Sequence, residues 1–536
     1  MSAIFSRNVS LLKSIVNRFD PESKKKKEIF LNLISKNKLV YSKTLESYFE
    51  TLLFICAFPS DKQFLIKAEK ELERVSHFLK IKSKSKTDIF ANSGLPWTKF
   101  ISCFTHDFVI WLNNHPDIRI LFNKFEDETF ELNDVLKLTL PSLERSVTTS
   151  GLTNEELLDS LQVKENNRLK FILSELNKLN AIPYIKDHLY DGLRIYAEIT
   201  PKNKNFSRAY NRISNAKIFF HDEILKKFDH MELLNRKVND ALALTAFEKT
   251  KLIEVVKNAM ALTYRETDTV TYMDENSIRL YELERGISIA IYGMIPQRQM
   301  PLESYVGYTL FKNGLPAVYG GGWVFGERSD FGINIFESFR GGESAYMMCQ
   351  LLRLYRQVFN VNYFQVEPYQ YGLDNPEGIS SGAFWFYYRN GFRPLDKNLL
   401  KVADNEFKKI VTSKKYRTSK KTLVSFTKSN IALQMERNIP VSVYDITAKV
   451  SKLIQKDFKG DRSIAEKKCV EKFMQLTGLN FQLNENEKEV LKEVALWSEV
   501  LKIKEEDKLK LLLEMVKVKP VNLYRYQKLL LQFFEK

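Results

Sequence analysis

The chain of 536 residues has only four cysteines, Cys56, Cys103, Cys349 and Cys469, far apart and without a CxxC pair. That spacing excludes a disulfide framework and a cysteine-based zinc site, and it fits reduced thiols. The six histidines (His77, His106, His115, His188, His221 and His230) show no HExxH or other ligand spacing, so no metal is expected. No GxSxG elbow is present. No window of about 18 residues is free of charge, which leaves no membrane-spanning segment. The opening MSAIFSRNVSLLKSIVNRF has neither the unbroken apolar core nor the small-residue cleavage site of a secretory signal, so a cytoplasmic location is expected. Its apolar residues recur at helical spacing instead.

Glycine is sparse, and unevenly so: 15 of the 20 glycines fall within 286–400. That stretch holds 9 basic and 9 acidic residues, and its only lysines are Lys312 and Lys397. The net charge of +16 therefore lies in the flanks, +5 over 1–285 and +11 over 401–536. Three domains are expected: helical over 1–245, sheet-containing over 246–400, and basic and helical over 401–536. The fold class expected is α+β, with mainly helical ends around a central mixed sheet.

Hydrophobic periodicity supports this division. Apolar residues recur at three- and four-residue steps in 45–58, 64–79, 104–112, 157–179 and 238–261, giving a mostly helical first 260 residues. The alternating lysines of 80–86 read as solvated surface. In the middle the period changes to two. Strands are expected at 287–294, 305–311, 315–323, 332–339 and 363–366, with a hairpin turn at Asn313-Gly314. Helices are expected at 345–358 and 381–389, the second ended by Gly391, and a last strand begins at 392. Helices return at 448–458, 463–476, 485–502 and 509–518. Gly320-Gly321-Gly322 lies inside a strand and marks a bulge or a close approach to the backbone.

The segment of about 305–395 resembles the GNAT superfamily of acyl-CoA-dependent N-acyltransferases. Those enzymes place a hairpin and a further strand before a phosphate-binding turn, [R/Q]xxGx[G/A], followed by a helix, a strand and a helix ending in FYxxxGF. Here the turn reads Arg340-Gly341-Gly342-Glu343-Ser344-Ala345, with Glu343 where the motif has glycine, and the ending reads Phe386-Tyr387-Tyr388-Arg389-Asn390-Gly391-Phe392. The resemblance implies that Phe339, Arg340, Gly341, Gly342, Ser344 and Ala345 hold the diphosphate of acyl-CoA at a helix N-terminus. It implies that Tyr387 protonates the departing thiolate. Glu337, preferred, and Glu367 are the candidate general bases, each ending a strand. The loop 368–378 is longer than usual, and Asn375 is not given a cofactor role.

The function this implies is transfer of an acyl group from acyl-CoA to a small-molecule or peptide amine. A non-catalytic binding module of the same fold, or a transferase using aminoacyl-tRNA as donor, are alternatives. The basic cluster 414–421 has a single aromatic, Tyr416, and no known nucleic-acid module accompanies it, so other nucleic-acid partners are not expected.

Overall fold

The structure, a computed structural model, describes residues 2–82, 89–149, 151–214, 216–478 and 482–535; residues 83–86 of the lysine run lie outside it. The chain is α+β and 53% helical, with helices at both ends and a mixed sheet in the middle of the sequence. Among the described residues no helix is long and apolar enough to cross a membrane.

Two compact units divide the chain. The first gathers Met1–Ile224, Ala246–Thr271 and Lys312–Pro316; the second gathers Leu225–Thr245, Tyr272–Phe311 and Ala317–Lys536. These are not the three segments read from composition. Backbone pairing sets them: the region after 400 supplies a strand to the same sheet as the neutral middle.

The first unit is not purely helical. Helices such as Ser2–Ile15, Lys43–Ala57 and Lys62–Lys82 accompany a three-stranded antiparallel sheet of β1 (Phe100–Cys103), β2 (Ile118–Phe125) and β3 (Ile195–Pro201), in the order β1-β3-β2. Along β3 every second residue is buried and the others half-buried, the period-two pattern of a strand with one covered face. The hairpin tip Lys312–Pro316 belongs to this unit. Asn313 and Gly314 both adopt left-handed backbone, φ 47° and 83°, as a two-residue hairpin turn requires. The buried Asn313 amide donates to the Ala57 and Phe219 carbonyls, each at 2.9 Å, and its oxygen accepts from the Phe219 N–H at 2.8 Å.

The second unit is built on eight strands. They are β4 (Arg279–Glu282), β5 (Ile287–Tyr292), β6 (Ser304–Lys312), β7 (Leu315–Phe325), β8 (Arg328–Ile335), β9 (Tyr363–Val366), β10 (Arg393–Pro394) and β11 (Ile431–Gln434). Their order is β10-β11-β9-β8-β7-β6-β5-β4. β8 and β9 run parallel, joined by the helix Ser344–Phe359, while β7–β8, β9–β11 and β10–β11 are antiparallel. The C-terminal helices Val443–Phe458, Arg462–Thr477, Glu485–Leu501, Glu506–Val518 and Leu523–Phe534 share one apolar core with Leu302 and Phe325 of the sheet segment, centred on Trp497 and Leu512.

β8 begins four residues before the expected start at 332 and ends at Ile335; 337–339 is a turn of 3₁₀ helix. The glycines Gly320-Gly321-Gly322 face the protein's own rings. A Cβ at Gly320 would lie 2.5 Å from the Tyr308 hydroxyl, and one at Gly321 would lie 2.6 Å from the Tyr305 ring. That backbone makes room for the protein's own tyrosines.

Candidate functional site

The parallel pair β8–β9 is short. Its register runs Arg328↔Tyr363, Ser329↔Phe364 and Asp330↔Gln365 and then stops, although β8 continues on to Ile335. β9 ends at Val366, and the chain turns at Pro368–Tyr371. Beyond Asp330 the pairing is therefore lost, a fork in the ladder that leaves the Gly332–Ile333 side of β8 without a strand partner from β9.

Tyr387 reaches this fork. It lies on the helix Ala383–Arg389, is 2% exposed, and its hydroxyl hydrogen-bonds the Ile333 backbone. Burial pushes its phenol well above the ordinary range, with the Ile333 bond pulling weakly the other way, so the group is a neutral hydroxyl near pH 7. Gly391 (φ 96°) closes that helix, and the Phe392 N–H returns to the Tyr387 carbonyl at 3.2 Å. Directly beside Ile333, Gly332 is covered from one side by Gln370: a Cβ there would lie 3.0 Å from the Gln370 amide nitrogen. The buried Tyr308 hydroxyl donates to the Gly332 carbonyl at 2.6 Å.

The turn after β8 leads into the helix Ser344–Phe359. The N–H groups of Phe339, Arg340 and Gly342 are spent on the carbonyls of Phe336, Glu337 and Phe339, and the first full helical bond is Met347 N–H to Glu343 at 2.8 Å. The N–H groups of Ser344, Ala345 and Tyr346 thus precede the helical ladder. Gly341 takes φ 86° and is exposed. Arg340 is exposed and pairs with Glu377 at 2.9 Å, and it also bonds the Ile335 carbonyl. Phe339 is buried and packs inward. Glu343 is 1% exposed and bound on one side of the turn: its carboxylate accepts from Arg285 at 2.6 and 2.8 Å and from the Leu225 N–H at 3.1 Å. A carboxylate at a helix start matches the helix dipole. Here its charge is met by a guanidinium.

Glu337 opens the 3₁₀ turn after β8 and Glu367 precedes the turn after β9, and both are exposed. Two other carboxyls that sequence reading passed over, Asp330 and Glu303, are half-buried. Asp330 sits on β8 between Trp323 and Gln365, where burial raises its carboxyl against the opposing pull of Arg328, 3.2 Å away. Glu303, just before β6, is pushed up to about 7 by burial and by Asp330. Both share a stretch of sequence with polar neighbours, so no apolar pattern marks them. Asn375 caps the helix Pro376–Ser381, its oxygen accepting from the Gly378 N–H at 3.2 Å. The lysines of the 414–421 cluster are exposed. Among the described residues no group of three or more His, Cys, Asp or Glu is placed to hold a metal ion.

Comparison with protein-family models, curated proteins and solved structures yields no match to this chain.

Proposed function

We propose that the second unit is a GNAT-like N-acyltransferase that moves an acyl group from acyl-CoA to an amine by direct attack. The observation that carries this reading is the fork between β8 and β9, with the buried Tyr387 hydroxyl on the Ile333 backbone inside it. A thioester seated in the fork would have its sulfur within reach of that hydroxyl. The amine nitrogen attacks the carbonyl carbon, the C–S bond breaks, and Tyr387 supplies a proton to the thiolate. The diphosphate would lie at the Ser344–Ala345 end of the helix beside Gly341 and Gly342, with Arg340 released from its exposed partner Glu377. The Arg285–Glu343 pair supports this, because a neutralised carboxylate repels a diphosphate far less than a bare one. Since Glu337 and Glu367 are exposed, the amine's proton passes to solvent directly or through Asp330. Titration calorimetry with CoA, and thiol release from acetyl-CoA or longer acyl-CoAs with a panel of amines, tests the reading; no CoA binding and no thiol release remove it.

One observation favours a second reading. A glutamate wholly buried at the start of this helix also suits a non-catalytic module in which the Glu343 carboxylate, paired with Arg285, has taken the place of an anionic ligand. That protein would bind no CoA. Aminoacyl-tRNA as donor would show itself as transfer that depends on added charged tRNA.

A further inference from the structure

Gln370 occupies a place at the fork that no motif assigns. It follows the last β9 residue paired with β8, Gln365, by one turn, Pro368–Tyr371, and its side chain returns to β8 two residues beyond the position paired with Gln365, Asp330. The contact is this close because residue 332 is glycine. An ideal Cβ at that position would stand 3.0, 3.2 and 3.4 Å from the amide nitrogen, carbon and oxygen of Gln370. The carboxamide thus lies flat on the strand, one residue from the Ile333 backbone that Tyr387 engages. It is half-buried, and among the described residues it makes no hydrogen bond to the protein. A primary amide kept beside a strand fork, with its N–H groups not taken by the protein among the described residues, is able to donate to a ligand there.

We propose that Gln370 donates a hydrogen bond to the carbonyl oxygen of the acyl group while it becomes an oxyanion. This rests on the acyltransferase reading above. When the amine lone pair forms the C–N bond, the carbonyl π pair moves onto oxygen, and the Gln370 N–H stabilises that charge. As the C=O reforms, the C–S pair leaves with sulfur and takes the Tyr387 proton. The attacking nitrogen loses one proton to water, and Tyr387 regains one from water, so the step balances as thioester plus amine giving amide plus thiol. The chemistry is that of a preorganised neutral donor. It gains more from the developing oxyanion than from the ground-state carbonyl.

The test uses the full chain with Gln370→Ala and Gln370→Glu. Because the side chain is half-buried and makes no protein hydrogen bond, both variants are expected to melt with the wild type. The expected result is kcat lower by about 100-fold in Gln370→Ala, with KM for acyl-CoA and CoA affinity by calorimetry changed less than threefold. Gln370→Glu should be equally slow at pH 8 and recover as pH falls and the carboxyl gains a proton to donate. A kcat within threefold of wild type in Gln370→Ala overturns the proposal while leaving the acyltransferase reading intact. A rise in KM alone overturns it as well, by showing a ground-state contact. A wild type that neither binds CoA nor releases thiol is a different result, and it removes the reading together with the role of Gln370.

Discussion

At the scale of single residues, partners explain more than motif positions do. Tyr387 is buried, neutral and tied to the Ile333 backbone. Tyr387→Phe should keep the fold, because one hydroxyl bond is worth about 1 kcal/mol. It should lower kcat about 100-fold or more with CoA affinity unchanged, read from steady-state thiol release beside calorimetry. Glu343 is the opposite case. Its side chain is 0% and that of Arg285 15% exposed, so Glu343→Ala takes a buried carboxylate partner away from a largely buried guanidinium. The expected loss is about 3 kcal/mol of stability, measured by denaturant unfolding; an unchanged midpoint would show that Arg285 finds another partner. The motif at 340–345 was legible as a glycine turn before a helix. The identity of the Glu343 partner was not, because Arg285 is 58 positions away. The same holds for Gln370: its contact with Gly332 is made by folding, and no local pattern encodes it.

At the scale of elements, turn chemistry and strict alternation carried the reading furthest. Asn313-Gly314 predicts its hairpin because both residues tolerate left-handed backbone, and 363–366 was read with its observed limits. β8 was read four residues late because its first residues, Arg328, Ser329 and Asp330, look like loop, yet they pair on both sides. β11 was missed because it is four residues long and reaches β9 only across 65 positions. The Asn313 side chain bonds Ala57 and Phe219 from a position 4% exposed. Asn313→Ala should therefore cost about 2 kcal/mol through unsatisfied backbone groups, again by denaturant unfolding.

A second element has a charge signature. Lys519, at the end of the helix Glu506–Val518, is 1% exposed, donates to Gln299 at 3.1 Å, and faces Glu303, with Asp330 and Arg328 beyond. Burial lowers the Lys519 amine from 10.5 to about 7, while Glu303 is raised from 4.5 to about 7. The Glu303 contribution is present below its unfolded value and is lost as pH rises through about 7. The Lys519 contribution is present above its unfolded value and is lost as pH falls through about 7. Both are spent near neutrality, so the stability these groups confer should pass through a minimum there. Denaturation at pH 5.5, 7 and 9 of wild type and of Glu303→Gln/Lys519→Met reads this out: the double variant should lose the dip. A dip of equal depth in both proteins would place its origin elsewhere.

At the scale of the whole molecule, composition and folding divide the chain by different rules. The neutral, glycine-rich 286–400 stretch is a chemical segment, but its sheet takes β4 from before it and β11 from after it. Residues 286–400 expressed alone should therefore give an amide spectrum without dispersion. A well-dispersed spectrum would mean that β9 and β10 can pair without β11 between them. The charge excess over 401–536 decorates helices that share the core of the second unit, through Leu302 and Phe325. Basicity there marks a solvated face of that unit.

The hairpin tip Lys312–Pro316 also sets an order in time. The first unit owns nearly all of 1–271, yet its last piece is that tip. On the ribosome it cannot close until Pro316 has left the exit tunnel, a wait of seconds at about 5–20 residues per second. Until then the Ala57 carbonyl and both backbone groups of Phe219 lack the Asn313 side chain that satisfies them in the finished fold. A stall or slow stretch of translation just before residue 312 would lengthen the life of that open state, and chaperone dependence should rise with it.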